Sequence, residues 1–294
     1  MEEVPNPKCG PADVKIQITH TAICGTDKHI FDWDEWAQKN LKLPLVVGHE
    51  FCGVVKEIGS QVTHYKEGDR VSGEGHLTCG NCRNCRAGKK HLCPETIGIG
   101  VHCNGAFAEY LVIPESNVWP LHNEIPSEIA SFFDPLGNAV HTALTFNLTG
   151  EDVLICGAGP IGMMATAICK FSGARNIVIS DVNSYRLNIA KDRGATRTIN
   201  PRKKNIKDLF SELNISQGFD VGLEMSGNSE AFNEMISLMY NGGSIALLGL
   251  LPESTKVNWN EIIFKGLNLK GIYGREMYDT CLLYTSDAAD DQAC

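Results

Sequence analysis

The feature that most constrains the fold is a glycine-rich turn near the middle of the chain. An apolar run, Val153–Cys156, leads into the motif Gly157-Ala158-Gly159-Pro160-Ile161-Gly162, and a stretch with helical periodicity follows. Glycines spaced G-x-G-x-x-G between a strand and a helix are typical of a dinucleotide-binding βαβ unit. The first two allow a tight turn and close approach of a pyrophosphate, and the third lets the helix pack closely on the strand. The helix N-terminus adds free N–H groups and partial positive charge for the phosphates.

An acidic residue follows this motif at the expected distance. Asp181 lies nineteen residues after Gly162, at the end of the next predicted strand. A carboxylate there can accept both ribose hydroxyls and would repel a 2′-phosphate, which favours NAD over NADP. Arg186 lies five residues further on, where it could line the adenosine edge. The alternative interpretation is a glycine-rich packing turn beside a solvated aspartate.

The chain changes character near Asn138. Before it, short alternating runs such as Val14–Ile18 are broken by Gly and Cys, which predicts short antiparallel strands in a barrel-like or mixed domain. After it, apolar runs alternate with helical stretches, which predicts an α/β fold with a doubly wound parallel sheet. The predicted strands are Val153–Gly157, Asn176–Asp181, Arg197–Asn200, Phe219–Met225, Ser244–Leu248 and Leu269–Tyr273, and the predicted helices are Ile161–Phe171, Ser184–Arg193, Ile206–Leu213 and Ser229–Tyr240.

Composition narrows the class of protein. The 294 residues suffice for about two domains. A net charge of −9 disfavours a nucleic-acid partner. The first residues lack the basic and apolar regions of a signal peptide, and the uncharged stretch Val153–Cys169 is shorter than a membrane span and contains glycines and a proline. We therefore expect a cytoplasmic protein with no membrane partner.

Twelve cysteines are unusual for such a chain. In a reducing compartment, thiolate metal ligands are favoured over disulfides. Four of them are spaced C-x2-C-x2-C-x7-C, which predicts a closed structural zinc site formed by Cys79, Cys82, Cys85 and Cys93. An iron–sulfur cluster could use the same four thiolates, and a nucleic-acid zinc module would fit the basic residues among them.

A second, sparser pattern indicates a metal site of another kind. It consists of Cys24-Gly25-Thr26-Asp27-x-His29 and, further on, Gly48-His49-Glu50. Together these residues suggest a zinc site with an exchangeable position, and Asp134 is a further acidic candidate near the domain junction. Because adjacent strand residues point to opposite faces, ligation by both His49 and Glu50 requires a turn there, and we rank His49 above Glu50.

These motifs together resemble the zinc-dependent medium-chain alcohol dehydrogenase family. The resemblance implies a mostly-β GroES-like catalytic domain with a structural zinc lobe (1–137), followed by a Rossmann NAD-binding domain (138–280). A narrower resemblance, to the branch that oxidises the 3-hydroxyl of L-threonine with NAD⁺, rests on the segments Phe31–Trp36, Gly73–His76, Asp134–His141 and Gly271–Glu276. The alternatives are a polyol or secondary-alcohol dehydrogenase acting on sorbitol or butanediol, and a truncated inactive fragment that binds NAD and zinc.

The resemblance also implies a role for each site residue. Its zinc ligands fall on Cys24, His49 and Glu50, with the choice between Glu50 and Asp134 open, and its structural zinc falls on the four-cysteine cluster. Its proton-relay pair falls on Thr26 and His29, while Asp134 matches a position implicated in catalysis and His76 a position near the substrate. The cofactor-binding residues are Gly157, Gly159, Ile161, Gly162, Asp181, Arg186, Leu248, Gly249, Leu250, Ile272 and Tyr273. Two zinc ions per subunit and a homotetramer are implied as well.

Both ends depart from the family pattern. Residues 281–294 match nothing in the family, and we expect them to be an artefact that replaces the C-terminal part of the catalytic domain. We also expect the family's first strand to be missing at the N-terminus.

Overall fold

Two units make up residues 3–277, which are the part of the chain that this computed structural model describes. The first unit extends to Asp134 and the second runs from Pro135 to Arg275. The segment 281–294, for which we expect an artefact, lies outside the described residues.

The first unit is dominated by short antiparallel strands. They are β1 (Asp13–Ala22), β2 (Glu50–Ile58), β3 (Arg70–Gly73), β4 (His76–Leu77), β5 (Ile97–Gly98), β6 (Tyr110–Pro114) and β7 (Val118–Pro120). Five of them form a sheet in the order β6-β1-β2-β3-β7, while β4 and β5 pair separately. The alternation at Val14 and Ile16 buries both side chains completely, against Phe51 and Ile113 among others. The short antiparallel strands predicted for this half are therefore present.

Helices of this unit are short and lie in the connections. They are α1 (Gly25–Asp32), α2 (Glu35–Asn40), α3 (Arg83–Arg86), α4 (Ser127–Ala130) and α5 (Phe133–Ala143), the last of which continues into the second unit. Because α1 begins directly after Cys24, the predicted Cys24–His29 pattern lies on a helix rather than in a loop.

The second unit is the predicted doubly wound parallel sheet. Its strands are β8 (Asp152–Cys156), β9 (Asn176–Ser180), β10 (Arg197–Ile199), β11 (Phe219–Glu224), β12 (Met239–Leu247) and β13 (Asn268–Gly271). They pair in parallel in the order β10-β9-β8-β11-β12-β13, so the topology reverses between β8 and β11. The helices between them are α6 (Pro160–Phe171), α7 (Ser184–Asp192), α8 (Leu209–Leu213), α9 (Ser229–Leu238) and α10 (Trp259–Lys265). The predicted α/β fold class is confirmed.

Burial on both faces explains why β8 reads as a continuous apolar run. Val153 and Ile155 belong to the core on one face of the sheet, and Leu154 and Cys156 to the core on the other. All four side chains are at most 2% exposed. A strand at the centre of a doubly wound sheet has no solvent face, so period-two alternation disappears.

The largest error in the predicted boundaries lies between the last predicted helix and the strand that follows it. The helix predicted as Ser229–Tyr240 ends at Leu238, and the strand predicted from Ser244 begins at Met239. Met239 already pairs with Phe219, and the register then shifts before Ser244 pairs with Val221. Gly242 and Gly243 carry no side chain, so the periodicity of apolar residues does not indicate that the strand begins before them.

Among the described residues, no helix is long and apolar enough to cross a membrane.

Removing a central core side chain should destabilise the second unit. Leu154 is fully buried, so Leu154→Ala should lower the free energy of unfolding by about 2–5 kcal/mol through lost burial and a residual cavity. Urea denaturation followed by circular dichroism measures the change. Phe171→Ala removes a side chain that is 95% exposed and should change stability by less than about 0.5 kcal/mol. Equal effects of the two substitutions would contradict the packing described here.

Candidate active site

The glycine-rich turn joins β8 to α6 with almost no space between them. Gly157 has a φ of +100°, which side-chain-bearing residues rarely adopt. A Cβ on Gly162 would lie 1.9 Å from the carbonyl oxygen of Gly157, so only glycine fits there without moving the backbone. Gly159, the N-cap of α6, has no heavy atom within 4 Å of its would-be Cβ. The turn therefore leaves open space directly over a helix N-terminus, as an anion site requires.

Asp181 is held against this turn by backbone hydrogen bonds. Its Oδ2 accepts a 2.8 Å hydrogen bond from the N–H of Ala158, and its Oδ1 accepts one of 2.8 Å from Asn183. The carboxylate is thus fixed beside the open space over Gly159. Arg186 follows in the first turn of α7, where it is exposed.

The other predicted nucleotide contacts lie at the same edge of the sheet. Leu248, Gly249 and Leu250 directly follow β12, and Ile272 and Tyr273 directly follow β13. Carboxyl ends of parallel strands form one edge, where ligands bind at the point at which the topology reverses. Leu250 and Tyr273 are 93% and 59% exposed and so are accessible to a ligand, whereas Ile272 is buried.

Glu224, at the end of β11, shapes this edge and was missed by the sequence reasoning. Its fully buried carboxylate accepts hydrogen bonds from the N–H groups of Ser226 and Gly227, and its carbonyl accepts from Leu248 and Gly249. One residue therefore holds the turns after β11 and β12 together. Its only sequence signal is a second charged residue at the end of a strand that already contains Asp220.

In the first unit, Cys24, His49 and Glu50 converge. Their candidate ligand atoms all lie within 4.8 Å of one another. The strand β2 begins at Glu50, and Gly48 turns the chain with a φ of +94°, so His49 precedes the strand. The alternation that would separate two adjacent strand residues therefore does not apply to His49 and Glu50.

The electrostatics of this cluster favour a bound cation. Burial raises the pKa of the Cys24 thiol to about 11, and the carboxylates of Glu50 and Asp134 act in the same direction. A dication would stabilise the thiolate and the two carboxylates together. One Cys, one His and one carboxylate are ligands that zinc accepts, and three protein ligands leave a fourth position for substrate. The residues present thus fit a catalytic zinc ion.

Asp27 lies next to both Cys24 and His49. The sequence reasoning missed this residue as well. Its Oδ2 accepts a 2.8 Å hydrogen bond from the backbone N–H of Cys24. Its Oδ1 lies 3.9 Å from Nδ1 of His49, and within the described residues neither of these two buried atoms has a hydrogen-bond partner. A carboxylate beside a metal-binding imidazole orients the ring and selects its tautomer.

The remaining predicted catalytic residues differ in what they contact. Thr26 Oγ1 lies 3.8 Å from Cys24 Sγ, and Asp134 is close enough to act on the Cys24 thiol. His29 instead pairs with Asp34, and His76 pairs with the buried Glu74 through its Nδ1 at 3.0 Å. The structure therefore brings Thr26 and Asp134 to the cluster, and gives His29 and His76 carboxylate partners of their own.

The four cysteines of the predicted structural site also converge. Cys79, Cys82, Cys85 and Cys93 have sulfur atoms within 4.8 Å of one another, including separations of 3.6 and 4.0 Å from Cys93 to Cys79 and Cys82. Zn–S bonds of about 2.3 Å in a tetrahedron place sulfurs about 3.8 Å apart. Backbone N–H groups of Cys82 and Cys85 donate to Cys79 Sγ and Cys82 Sγ, which favours thiolates. These residues fit a closed zinc site.

Comparison with known proteins gives a family model for each part of the chain. The family model of the alcohol dehydrogenase GroES-like domain matches residues 10–123, and that of the zinc-binding dehydrogenase matches residues 160–283. L-threonine 3-dehydrogenase from Marinomonas sp. (strain MWYL1) is 60% identical over 280 residues, which are 95% of this chain and 82% of the relative. The enzyme of the same name from Stenotrophomonas maltophilia (strain K279a) is 59% identical over the same shares.

The chain belongs to the zinc-dependent medium-chain alcohol dehydrogenase family.

Two solved structures of dehydrogenases have a similar fold. A zinc-binding dehydrogenase from Sinorhizobium meliloti 1021, solved with NADP, superposes with a TM-score of 0.89 at 29% identity, over 97% of this chain and 84% of that one. An alcohol dehydrogenase from Escherichia coli CFT073, solved with NADH, gives a TM-score of 0.86 at 28% identity, over 95% and 82%. Since these two structures were solved with different nucleotides, the fold alone does not select the cofactor.

Two glycines of the turn should respond differently to alanine. Gly162→Ala should lower the melting temperature, because its Cβ would meet the Gly157 carbonyl at 1.9 Å. Gly159→Ala should leave the melting temperature unchanged but weaken NADH binding at least about tenfold, because its methyl group occupies the space over the helix N-terminus. Calorimetry and fluorescence titration measure the two effects. Unchanged NADH affinity in Gly159→Ala would contradict a pyrophosphate position there.

Proposed function

We propose that this chain oxidises the 3-hydroxyl of L-threonine to 2-amino-3-oxobutanoate and transfers the hydride to NAD⁺. The observation that carries the proposal is the convergence of Cys24, His49 and Glu50 in a chain 60% identical to an L-threonine 3-dehydrogenase. The reaction removes a hydride from C3 and a proton from the hydroxyl.

The proposed cofactor is NAD rather than NADP. Asp181 supports this choice, because its carboxylate is fixed next to the glycine-rich turn and would repel a 2′-phosphate on the ribose. Arg186 would line the adenosine edge, and the loops at 248–250 and 272–273 would contact the rest of the nucleotide. Glu224 would keep those loops in register through the hydrogen bonds described above.

We assign the catalytic zinc to Cys24, His49 and Glu50 and the structural zinc to the four-cysteine cluster. When bound, the catalytic zinc supplies Lewis-acid stabilisation of negative charge on the substrate oxygen, and NAD⁺ supplies the hydride acceptor. Asp27 would hold Cys24 through its backbone N–H and restrain the ring of His49. Asp134 would act on the same buried cluster.

The proton leaves through side chains of this chain. Thr26 is the first member of the proposed relay, since its hydroxyl adjoins Cys24. His29 is the second, because an imidazole exchanges protons near neutral pH and this one is exposed to solvent. His76, fixed by Glu74, is proposed as a residue close to the substrate.

The assembly and compartment are proposals of the same kind. On family resemblance we propose a homotetramer that works in the cytosol.

The two proposed zinc sites should respond differently to loss of one thiol. Cys24→Ser should remove one zinc ion and reduce turnover at least about a hundredfold, while NADH affinity and the melting temperature stay near those of the wild type. Cys85→Ser should also remove one zinc ion but lower the melting temperature, since a structural zinc contributes folding energy. Elemental mass spectrometry, activity assays and calorimetry separate the two. Full activity in Cys24→Ser would overturn the assignment of the catalytic site.

The substrate is tested with a panel of alcohols. NADH formation should be fastest with L-threonine, and kcat/KM should be at least about a hundredfold lower with sorbitol or 2,3-butanediol, which lack the amino acid head group. Turnover of sorbitol or butanediol without turnover of threonine would make the chain a polyol or secondary-alcohol dehydrogenase. No turnover of any alcohol by the zinc-loaded chain would make it a binding protein rather than an enzyme.

A further inference from the structure

The chain reverses between α1 and α2, and this places the carboxylate of Asp34 next to the side chain of His29 on α1. The helix α1 ends at Asp32, and Trp33 follows in the left-handed conformation with a φ of 50°. Asp34 then begins α2 as its N-cap, with Oδ1 accepting a 3.0 Å hydrogen bond from the N–H of Ala37. The N–H of Asp34 also donates to the carbonyl of His29. The backbone and one carboxylate oxygen of Asp34 are thus held in place.

The second oxygen of this carboxylate meets the proposed relay histidine. Asp34 Oδ2 lies 2.5 Å from Nδ1 of His29. Within residues 3–277, Nε2 of His29 has no hydrogen-bond partner. A carboxylate only accepts hydrogen bonds, so the neutral imidazole must carry its proton on Nδ1, which leaves the lone pair on Nε2.

We propose that Asp34 is a positioning residue for proton release: it holds His29 in the Nδ1–H tautomer, so that Nε2 receives the proton passed on by Thr26. This inference rests on the proposed function, because it assigns His29 the second place in the relay. Asp34 does not touch the substrate and acts only through the ring of His29.

Two further observations support this role. Hydrogen bonds from the Ala37 N–H and then from His29 lower the pKa of Asp34, so it stays a carboxylate at neutral pH. The side chains of His29 and Asp34 are 61% and 38% exposed. A proton that reaches Nε2 makes the ring an imidazolium. It can then pass from Nε2 to solvent, while Asp34 keeps the other proton on Nδ1. A histidine at the outer end of a relay needs this exposure.

The substitution Asp34→Asn tests the tautomer directly. The amide oxygen can keep the cap on Ala37, while the amide nitrogen would donate to Nδ1 of His29 and move the ring proton to Nε2. Imidazole ¹⁵N shifts of the zinc-loaded protein should therefore show Nδ1–H in the wild type and Nε2–H in the variant. The kcat for threonine oxidation should fall about ten- to a hundredfold, with KM and zinc content changed less than about twofold.

The same helix provides a matched control. Asp32 pairs with Lys28 on the surface of α1, so Asp32→Asn removes the same charge without touching His29. It should leave the His29 tautomer and kcat unchanged. Asp34→Ser keeps a good N-cap but removes the partner of His29, and it should lower kcat like Asp34→Asn. This second variant separates loss of orientation from loss of the helix cap.

The outcomes distinguish this inference from the proposed function. A His29 tautomer that is the same in the wild type and in Asp34→Asn overturns the inference, whatever the activity. So does a kcat that Asp32→Asn lowers as much as Asp34→Asn. If the wild type oxidises 2,3-butanediol but not threonine, the proposed substrate is wrong, and the same comparison of variants is then made with butanediol.

Discussion

The close approach of α6 to β8 is the constraint on which the nucleotide half of this protein depends. A Cβ at Gly162 would lie 1.9 Å from the Gly157 carbonyl, so the helix can begin where it does only because no side chain intervenes. This contact fixes the helix N-terminus at the carboxyl edge of the central strand, where the sheet topology reverses. It also places the N–H of Ala158 where Asp181 can bind it. The open helix N-terminus and the position of the Asp181 carboxylate beside it therefore follow from one steric condition.

In the first unit, the corresponding constraint is that the acidic groups around Cys24 need a compensating positive charge. The half-buried thiol of Cys24 lies near the buried carboxyl of Glu50 and near Asp134, and desolvation raises the pKa of that thiol to about 11. A zinc ion at this position would turn this unfavourable set of acidic groups into ligands or stabilised neighbours. The side chain of Asp27 holds the N–H of Cys24 at the start of α1, and Gly48 turns the chain before His49.

Much of the fold could be predicted from the sequence, because it depends on local patterns. The motif from Gly157 to Gly162, the apolar strands and the cysteine spacing each lie within a short segment, and each carries its own steric or chemical requirement. The prediction was wrong at the start of β12, where Met239 pairs with Phe219 and the register then shifts before Ser244 pairs with Val221. Backbone pairing leaves no pattern in side-chain polarity, so periodicity did not find it.

By itself the sequence determined the class of fold, the dinucleotide motif and the residue types for two metal sites, since these depend on spacing along the chain. Only the tertiary structure decided which groups support them. Glu224 joins two turns that are more than twenty residues apart in sequence, and Asp27 meets His49 from another element. Asp34 reaches His29 because the chain reverses at Trp33. Such contacts depend on how elements pack and turn against each other, and a single sequence records no distance between residues that are not neighbours.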